Sequence, residues 1–434
     1  MDNFIRDLVG IKDPTLKFDP RFTNPTAPTA DGALIIHLMQ TYPMTCPLCG
    51  RPMLKNGFQT VDIKGYPQCG TPAILRIRKQ KYLCRPDLLC PRTVTKIAAV
   101  MGINHRHRIA NAVRYRVVQE LHTNQSCGAI AQRLSISTTT VLRVLRLTQS
   151  DLQVNHNWLP RAIALDDFKG GPWSASEMSM VLVNPENGRL LDVLRSRKND
   201  YLTHYFNQYP LAVRQRVLAV VVDLYDPYRS LIKQLFPHAV VIADCFHIVG
   251  ECNRALQNVR RQVIKAHGAK SHVGRALKRY WKLLSQDQTK VDYQHFRRRR
   301  NFRYAALTDS EVINRLLEMD PTLAATYAYY QELLFCVHHR DAERFKQLIA
   351  VPLQRLPEAL KRVQRTFRKH AAEIIASFKC QLSNGPVEGI NNKIKVIKRV
   401  AYGYRNFDHF RGRILLSCRN EYIDFDHLNT QKIA

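Results

Sequence analysis

The segment Ala162-Ile163-Ala164-Leu165-Asp166-Asp167-Phe168 decides the fold. Its apolar half predicts a strand over 162–165 that ends at two acids. The same pattern recurs further on. The run 217–222 is fully apolar and ends at Asp223, and 239–243 is another that ends at Asp244. Two more strands are expected at 178–183 and 190–194, joined by the hairpin-type turn Asn184-Pro185-Glu186-Asn187-Gly188. Residues 201–209 read as helix. Strands alternating with helices predict an α/β core with a mixed sheet, and strand ends are where such cores collect ligand groups.

Acids at neighbouring strand ends suggest a chemistry. Two carboxylates from adjacent strands, with a third from a helix, can hold two divalent ions about 4 Å apart. Such a pair activates a water or a 3′-hydroxyl on one side of a phosphodiester and steadies the leaving oxygen on the other. Asp166 and Asp223 are the strand candidates. Glu388 is the helical one, because it follows Ser383-Asn384-Gly385-Pro386. There Asn384 can cap a helix and Pro386 can occupy its first turn. Glu388, Asn391, Asn392 and Lys395 then share one helical face by their spacing. Taken singly, each acid reads first as a solvated strand end or a helix N-terminal charge; it is the set that points to a metal site.

Asp167 complicates the assignment. Side chains alternate along a strand, so only one of Asp166 and Asp167 can face with Asp223. The sequence leaves that choice open. Asp244-Cys245-Phe246-His247 follows the next strand. His247 there suits a group near the site, orienting an acid or a phosphate, or a satisfied core histidine.

Working outward, residues 1–40 carry Pro14, Pro20, Pro25 and Pro28 and read as a short helix followed by an extended arm. Residues 41–95 look like a small metal-stapled unit. Cys46 and Cys49 form a CxxC knuckle, and Cys84 and Cys90 supply a second, wider pair. A structural Zn²⁺ needs four soft ligands in a tetrahedron. Cys69 is a spare ligand, and buried free thiols are the plain alternative. Residues 96–150 read as helices. Within them Ile130, Ala131, Leu134, Ile136, Val141, Leu142 and Leu145 fit two short helices about a tight turn, a helix–turn–helix. Its second helix would present Ser137, Thr138, Thr139 and Arg143 to DNA. Residues 251–380 read as helical and basic and include Arg297 and Arg298 in a run of four arginines. Residues 155–250 carry the strand signals, and 381–434 hold the final block with Glu388.

The chain has 434 residues, with 66 Lys plus Arg against 35 Asp plus Glu, a formal charge of +31. Such an excess suits a protein that lies along a polyphosphate, because each neutralised phosphate releases a counterion. Hydrophobic residues make up 45%, which excludes disorder for most of the chain. No apolar run is long enough to span a membrane, and Met1-Asp2-Asn3-Phe4 does not open a secretory signal. A cytoplasmic, nucleoid-associated location is expected. The 11 cysteines, several of them isolated, argue against a disulfide framework.

These blocks together resemble the ISL3 family of insertion-sequence transposases. The resemblance rests on Leu165-Asp166-Asp167-Phe168, on Asp223-Leu224-Tyr225-Asp226-Pro227-Tyr228, on Ala243-Asp244-Cys245-Phe246-His247 and on the block from Ser383 through Pro386-Val387-Glu388-Gly389-Ile390-Asn391-Asn392-Lys393-Ile394-Lys395. It implies an RNase H-like core with a DDE triad of Asp166, Asp223 and Glu388 that binds two Mg²⁺ (or Mn²⁺) ions. It also implies a zinc ribbon and a helix–turn–helix ahead of that core. The long gap before Glu388 fits a helical insertion, with Lys395, Lys398 and Arg399 beside DNA. The implied partners are double-stranded DNA, as terminal inverted repeats and as target, and further copies of the chain in a dimer or larger assembly. A non-catalytic DNA-binding regulator, or a nuclease specific for branched DNA, would share most of these features.

Overall fold

The computed structural model describes residues 10–104, 107–149, 152–174, 177–380, 382 and 385–419. The short helix expected near the start and the capping role of Asn384 lie outside the described residues. The chain divides into two compact units, Met1–Gln153 with Asn392–Ala434, and Val154–Asn391. Residues after 391 therefore group with the N-terminal part, whereas the sequence reading kept all of 381–434 with the core.

The first unit is built on a six-stranded sheet of β1 (Leu16–Phe18), β2 (Thr26–Pro28), β3 (Leu34–Gln40), β4 (Leu54–Lys64), β5 (Ala73–Cys84) and β6 (Val94–Ile97). Residues 16–40 are thus sheet and not an extended arm. β3 runs parallel to the first half of β5, from Leu34↔Ala73 to Gln40↔Lys79. β6 takes over antiparallel from Lys81 to Cys84, and β4 covers the other edge antiparallel.

β5 changes face part-way along. Ala73, Leu75 and Ile77 are buried, and so are Gln80, Tyr82 and Cys84. The shift from odd to even positions coincides with a bulge in β4 between Lys55 and Phe58. Gly57 in that bulge has φ +70°, and its carbonyl accepts from Gln80 Nε2 at 2.7 Å. That extra residue reverses which side chains of β4 itself face inward. Leu75, Ile77 and Tyr82 lie fully inside, although Arg and Lys alternate with them along the strand.

Three helices follow, Asn111–Leu121, Cys127–Arg133 and Thr138–Gln149. Ser126 caps the second, accepting from the Ala129 N–H at 3.0 Å. The turn after it places Ser135 at φ +52°. Ile130, Ala131, Leu134, Ile136, Val141 and Leu145 are buried as the pattern predicts, while Leu142 is half-buried and Val144 is buried beside them.

The helix Phe407–Cys418 completes this packing with Phe410, Ile414, Leu415 and Leu416 fully buried. Among them is Arg413, at 2% exposure. Its guanidinium donates to the carbonyls of Thr123 (2.8 Å) and Gln125 (2.5 Å), pinning the turn that precedes Ser126. Arg413→Met keeps the length but leaves both carbonyls without a donor. We expect it to cost the first unit about 2–3 kcal/mol, read as a lower urea midpoint at unchanged slope. An unchanged midpoint would show that the pin is dispensable.

The second unit holds a five-stranded sheet in the order β11-β10-β7-β8-β9. Its strands are β7 (Ala162–Lys169), β8 (Met178–Val183), β9 (Leu190–Leu194), β10 (Ala219–Val222) and β11 (Val240–Ala243). β7, β8 and β9 are antiparallel, and β10 and β11 run parallel to β7. β7 does not stop at its acids. Asp166 and Asp167 pair with Val181 and Met180 of β8, so the strand continues to Lys169.

One apolar cluster lies on this sheet, around Ile163, Leu182, Phe206, Val220 and Phe236. A second fills the helical insertion, from Ile248 and Leu256 to Phe345, Phe367 and Phe378. The insertion is mostly helical, as expected, but the arginine run forms a two-stranded ribbon, β12 (Arg297–Arg299) with β13 (Ala305–Leu307). Two further helices, Glu358–Lys369 and Ala371–Lys379, meet at His370. No described helix is long and apolar enough to cross a membrane.

Candidate functional site

The register of the sheet brings the acids together. β7 and β10 pair with a constant offset, Ala162↔Ala219 through Ala164↔Val221. Continued by two residues, that offset sets Asp223 level with Asp166. β10 and β11 pair Val222↔Ala243, which sets Asp244 level with Asp223. Three acids therefore stand side by side, Asp166 within β7 and Asp223 and Asp244 just past β10 and β11, on strands about 4.8 Å apart.

Asp166 and Asp167 part company here. An oxygen of Asp166, one of Asp223 and a ring nitrogen of His247 all lie within 4.8 Å of one another. Asp167 turns instead to Arg197 (2.7 Å) and the Tyr228 hydroxyl (3.0 Å). Asp166 is thus the residue that faces with Asp223. Arg197 and Tyr228 escaped the sequence reading. Tyr228 lies inside a quoted motif, but only the fold shows that its hydroxyl serves Asp167.

His247 sits among the acids because of the helix that carries it. Asp244 caps the helix Cys245–His267, accepting from the Phe246 N–H at 3.0 Å. That cap places His247 in the first turn, with Nε2 3.0 Å from Asp223, 3.7 Å from Asp244 and 3.9 Å from Asp166. The Asp223 carboxylate beside it holds the imidazole charged, pushing its pKa up to about 9. Burial, then the like charge of Asp223, pushes Asp166 up to about 6. The cluster lacks positive charge, and the imidazolium supplies part of it.

The helix Gly385–Val400 reaches the same place. The Asn391 amide donates to the free oxygen of Asp166 at 2.6 Å, while Asn391 Oδ1 is buried with no hydrogen-bond partner. Gly188, in the β8–β9 turn, has φ +69°, and a Cβ there would stand 3.1 Å from Pro386 Cβ. Glycine lets the start of this helix approach the sheet. Glu388 lies one turn before Asn391 and is exposed. It is not among the three residues whose ligand atoms cluster. Two carboxylates and an orphaned amide oxygen suit a hard divalent cation, and the charged imidazole stands where such an ion would balance the acids. Asn392 and Lys395 fall in the first unit, where Lys395 Nζ donates to Asn392 Oδ1 at 3.3 Å.

The transposase family model of the ISL3 group matches residues 163–414, more than half of the chain. The chain belongs to the ISL3 transposase family. The match runs from β7 through the insertion to the last helix.

A second family model, the zinc-finger of transposase IS204/IS1001/IS1096/IS1165, matches residues 42–87 of this ISL3 chain. Over 256 residues the chain is 27% identical to the transposase for insertion sequence element IS1001 of Bordetella parapertussis, covering 57% of this chain and 58% of that protein. Over 119 residues it is 40% identical to a Lactococcus lactis protein named ATP-dependent protease, covering 27% of this chain and 38% of that one. The chain thus spans well under two thirds of the length of either relative.

The zinc-finger region has the geometry its name requires. Thiolates about 2.3 Å from a zinc ion stand about 3.8 Å apart at the corners of a tetrahedron. The Sγ atoms of Cys46 and Cys90 are 3.8 Å apart, and those of Cys49–Cys84 and Cys84–Cys90 are 3.7 Å apart. The four sulfurs fit a structural zinc ion. The first knuckle closes through Gly50 N–H to the Cys46 carbonyl at 2.8 Å. The wider second loop is folded by Asp87, whose carboxylate accepts from the N–H groups of Leu89 and Cys90. Cys49 is pulled down to about 6, first by the Arg51 backbone N–H, so one thiolate is available at neutral pH. Cys69 is exposed in a turn and is not in the group.

The remaining DNA-facing candidates are distributed. Ser137, Thr138, Thr139 and Arg143 are exposed, although the Ser137 hydroxyl is engaged as a cap with the Thr140 N–H at 3.2 Å. Arg297 is paired with Asp292 at 3.4 Å, and Arg298 is exposed on β12. Arg399 is exposed and Lys398 half-buried.

Proposed function

We propose that the chain is a DNA transposase whose five-stranded sheet is an RNase H-like core with Asp166, Asp223 and Glu388 as its metal-holding triad. The observation that carries this reading is the level placement of Asp166 and Asp223, closed by Asn391 from the helix that bears Glu388. The sheet order, three antiparallel strands followed by two parallel to the first, supports the core assignment. Family membership supports the reaction class.

In this reading the core comprises 155–250 and the helix bearing Glu388, and 251–380 is its insertion. Residues 41–95 are the zinc-bound part, and 96–150 include a helix–turn–helix. That motif reads the terminal inverted repeats through Thr138, Thr139 and Arg143, with Lys395, Lys398, Arg399, Arg297 and Arg298 on phosphates. Two Mg²⁺ or Mn²⁺ ions held by Asp166, Asp223 and Glu388 would supply the Lewis acidity for hydrolysis and strand transfer. The chain's own residues set the stage. Asn391 orients Asp166, Arg197 and Tyr228 hold Asp167 away from the ligand positions, and His247 carries a proton beside Asp223. Two element ends must be held at once, so the working form is a dimer or larger assembly on DNA in the cytoplasm.

The test is an incubation of the full chain with duplexes taken from both flanks of its gene, with Mg²⁺, with Mn²⁺ and with EDTA. Metal-dependent 3′-hydroxyl ends at one position, followed by joined products, are expected. Specific binding with no cleavage in either metal would favour the regulator. Cleavage of branched DNA without end specificity would favour the nuclease.

A further inference from the structure

The helix Cys245–His267 starts at the acids and runs 23 residues. A pocket of about 220 Å³ opens over its first turns, lined by Asp223, His247, Glu251 and Arg254. A larger groove of about 720 Å³ shares Glu251 and Arg254 with that pocket. It continues along the same helix past Asn258 and Arg261 to Lys265. Its opposite wall is the helix Glu358–Lys369, which contributes Arg362. The two cavities adjoin at Glu251 and Arg254, and the smaller one reaches the acid cluster.

The lining of the adjoining cavities changes sign along their length. Asp223 stands at one end, and Arg254, Arg261, Lys265 and Arg362 line the rest. Of the two acids in the groove, Glu358 is paired with Lys361 at 2.6 Å. Glu251 is half-buried, and burial pushes its carboxyl above the ordinary range. Arg254, Asn258, Arg261 and Lys265 follow at steps of four, three and four residues, so they share one exposed helical face. From His247 to Lys265 the helix rises about 27 Å. A single small anion would occupy a fraction of that length.

We propose that this groove is a track for the phosphodiester backbone of the DNA arm that leaves the acid cluster. The inference rests on the cleavage reading above and deepens it, since it states where the cut DNA runs. Guanidinium and ammonium groups meet the phosphates, and Asn258 offers its carboxamide to phosphate or sugar oxygens. At about 3.4 Å per nucleotide of duplex, 27 Å corresponds to about eight base pairs beyond the scissile phosphate.

The experiment compares the full-length wild type with the triple variant R261A/K265A/R362A, all three exposed and away from the acids. The DNA is the flank duplex, cut back so that each arm beyond the cleavage position ranges from about two to fifteen base pairs, spanning the length predicted above. Wild-type binding and cleavage should both rise, about tenfold or more, as one arm grows to about eight base pairs. The variant should lose that gain, and its plot of log affinity against log salt should flatten by about two to three. An unchanged salt slope and unchanged arm dependence in the folded variant would overturn the track. The slope is read from binding alone, so it tests the groove even if nothing is cut. Absence of cleavage by the wild type would instead overturn the assignment of the acids.

Discussion

Asparagine in place of Asp166 or of Asp223 is expected to lower strand cleavage by at least about 10³-fold, equivalent to about 4 kcal/mol of transition-state stabilisation. The reason is geometric. These carboxylates stand level on adjacent strands, with the His247 ring nitrogen beside both. Each supplies a full negative charge that an amide cannot. DNA binding should stay within about threefold, because removing an acid takes no contact from the phosphates. Asp167→Asn is the informative control. Asp167 is committed to Arg197 and Tyr228, so its loss should act through packing and orientation and cost about 10–100-fold. Equal losses at 166 and 167 would mean that the strand presents both acids to the reaction. A larger loss at 167 would reverse the assignment.

The second large effect concerns zinc. Cys90→Ser should drop bound metal from about one ion per chain to near none and unfold the sheet region around β5. Structural zinc in small domains contributes about 10–16 kcal/mol of apparent binding energy, which is folding energy where no other core exists. The core under this sheet end is small: Cys46, Met53, Tyr82, Cys84, Cys90 and Ala98. Cys90 is the sharpest choice because the zinc-finger match ends at residue 87. The sulfur spacing, and not the family match, places Cys90 in the group. Cys69→Ser should keep the metal and the fold. Metal analysis and far-ultraviolet circular dichroism of the two variants decide the matter. Retention by Cys90→Ser with loss by Cys69→Ser would refute the ligand set.

Legibility in the sequence followed the range of the interactions. β8 and β9 fall where alternation and the Asn184–Gly188 turn put them, because a hairpin is a local structure. The end of β7 was misread because acids look like strand terminators. Their pairing with Met180 and Val181 is a tertiary fact. The proline-punctuated start read as an arm, since nothing local reveals that β3 will lie parallel to β5. The change of buried face along β5, from Ala73, Leu75 and Ile77 to Gln80, Tyr82 and Cys84, has no local signal either. At the acid cluster, the separation of 166 and 223 equals the strand offset, so the spacing of the motifs already carried the register. The choice between Asp166 and Asp167 needed their partners. The buried Arg413 carried no signal, because an arginine in a helix is ordinarily a surface residue.

The central claim is that the helix after the insertion brings the third acid to the two on the sheet. The most direct test is an end-cleavage and joining assay with Glu388→Gln beside the wild type, on the flank duplexes in Mg²⁺ and Mn²⁺. The account predicts specific 3′-hydroxyl ends and joined products for the wild type, and binding without cleavage for the variant. Equal cleavage by both proteins would contradict it, and Glu388 would then be no part of the site.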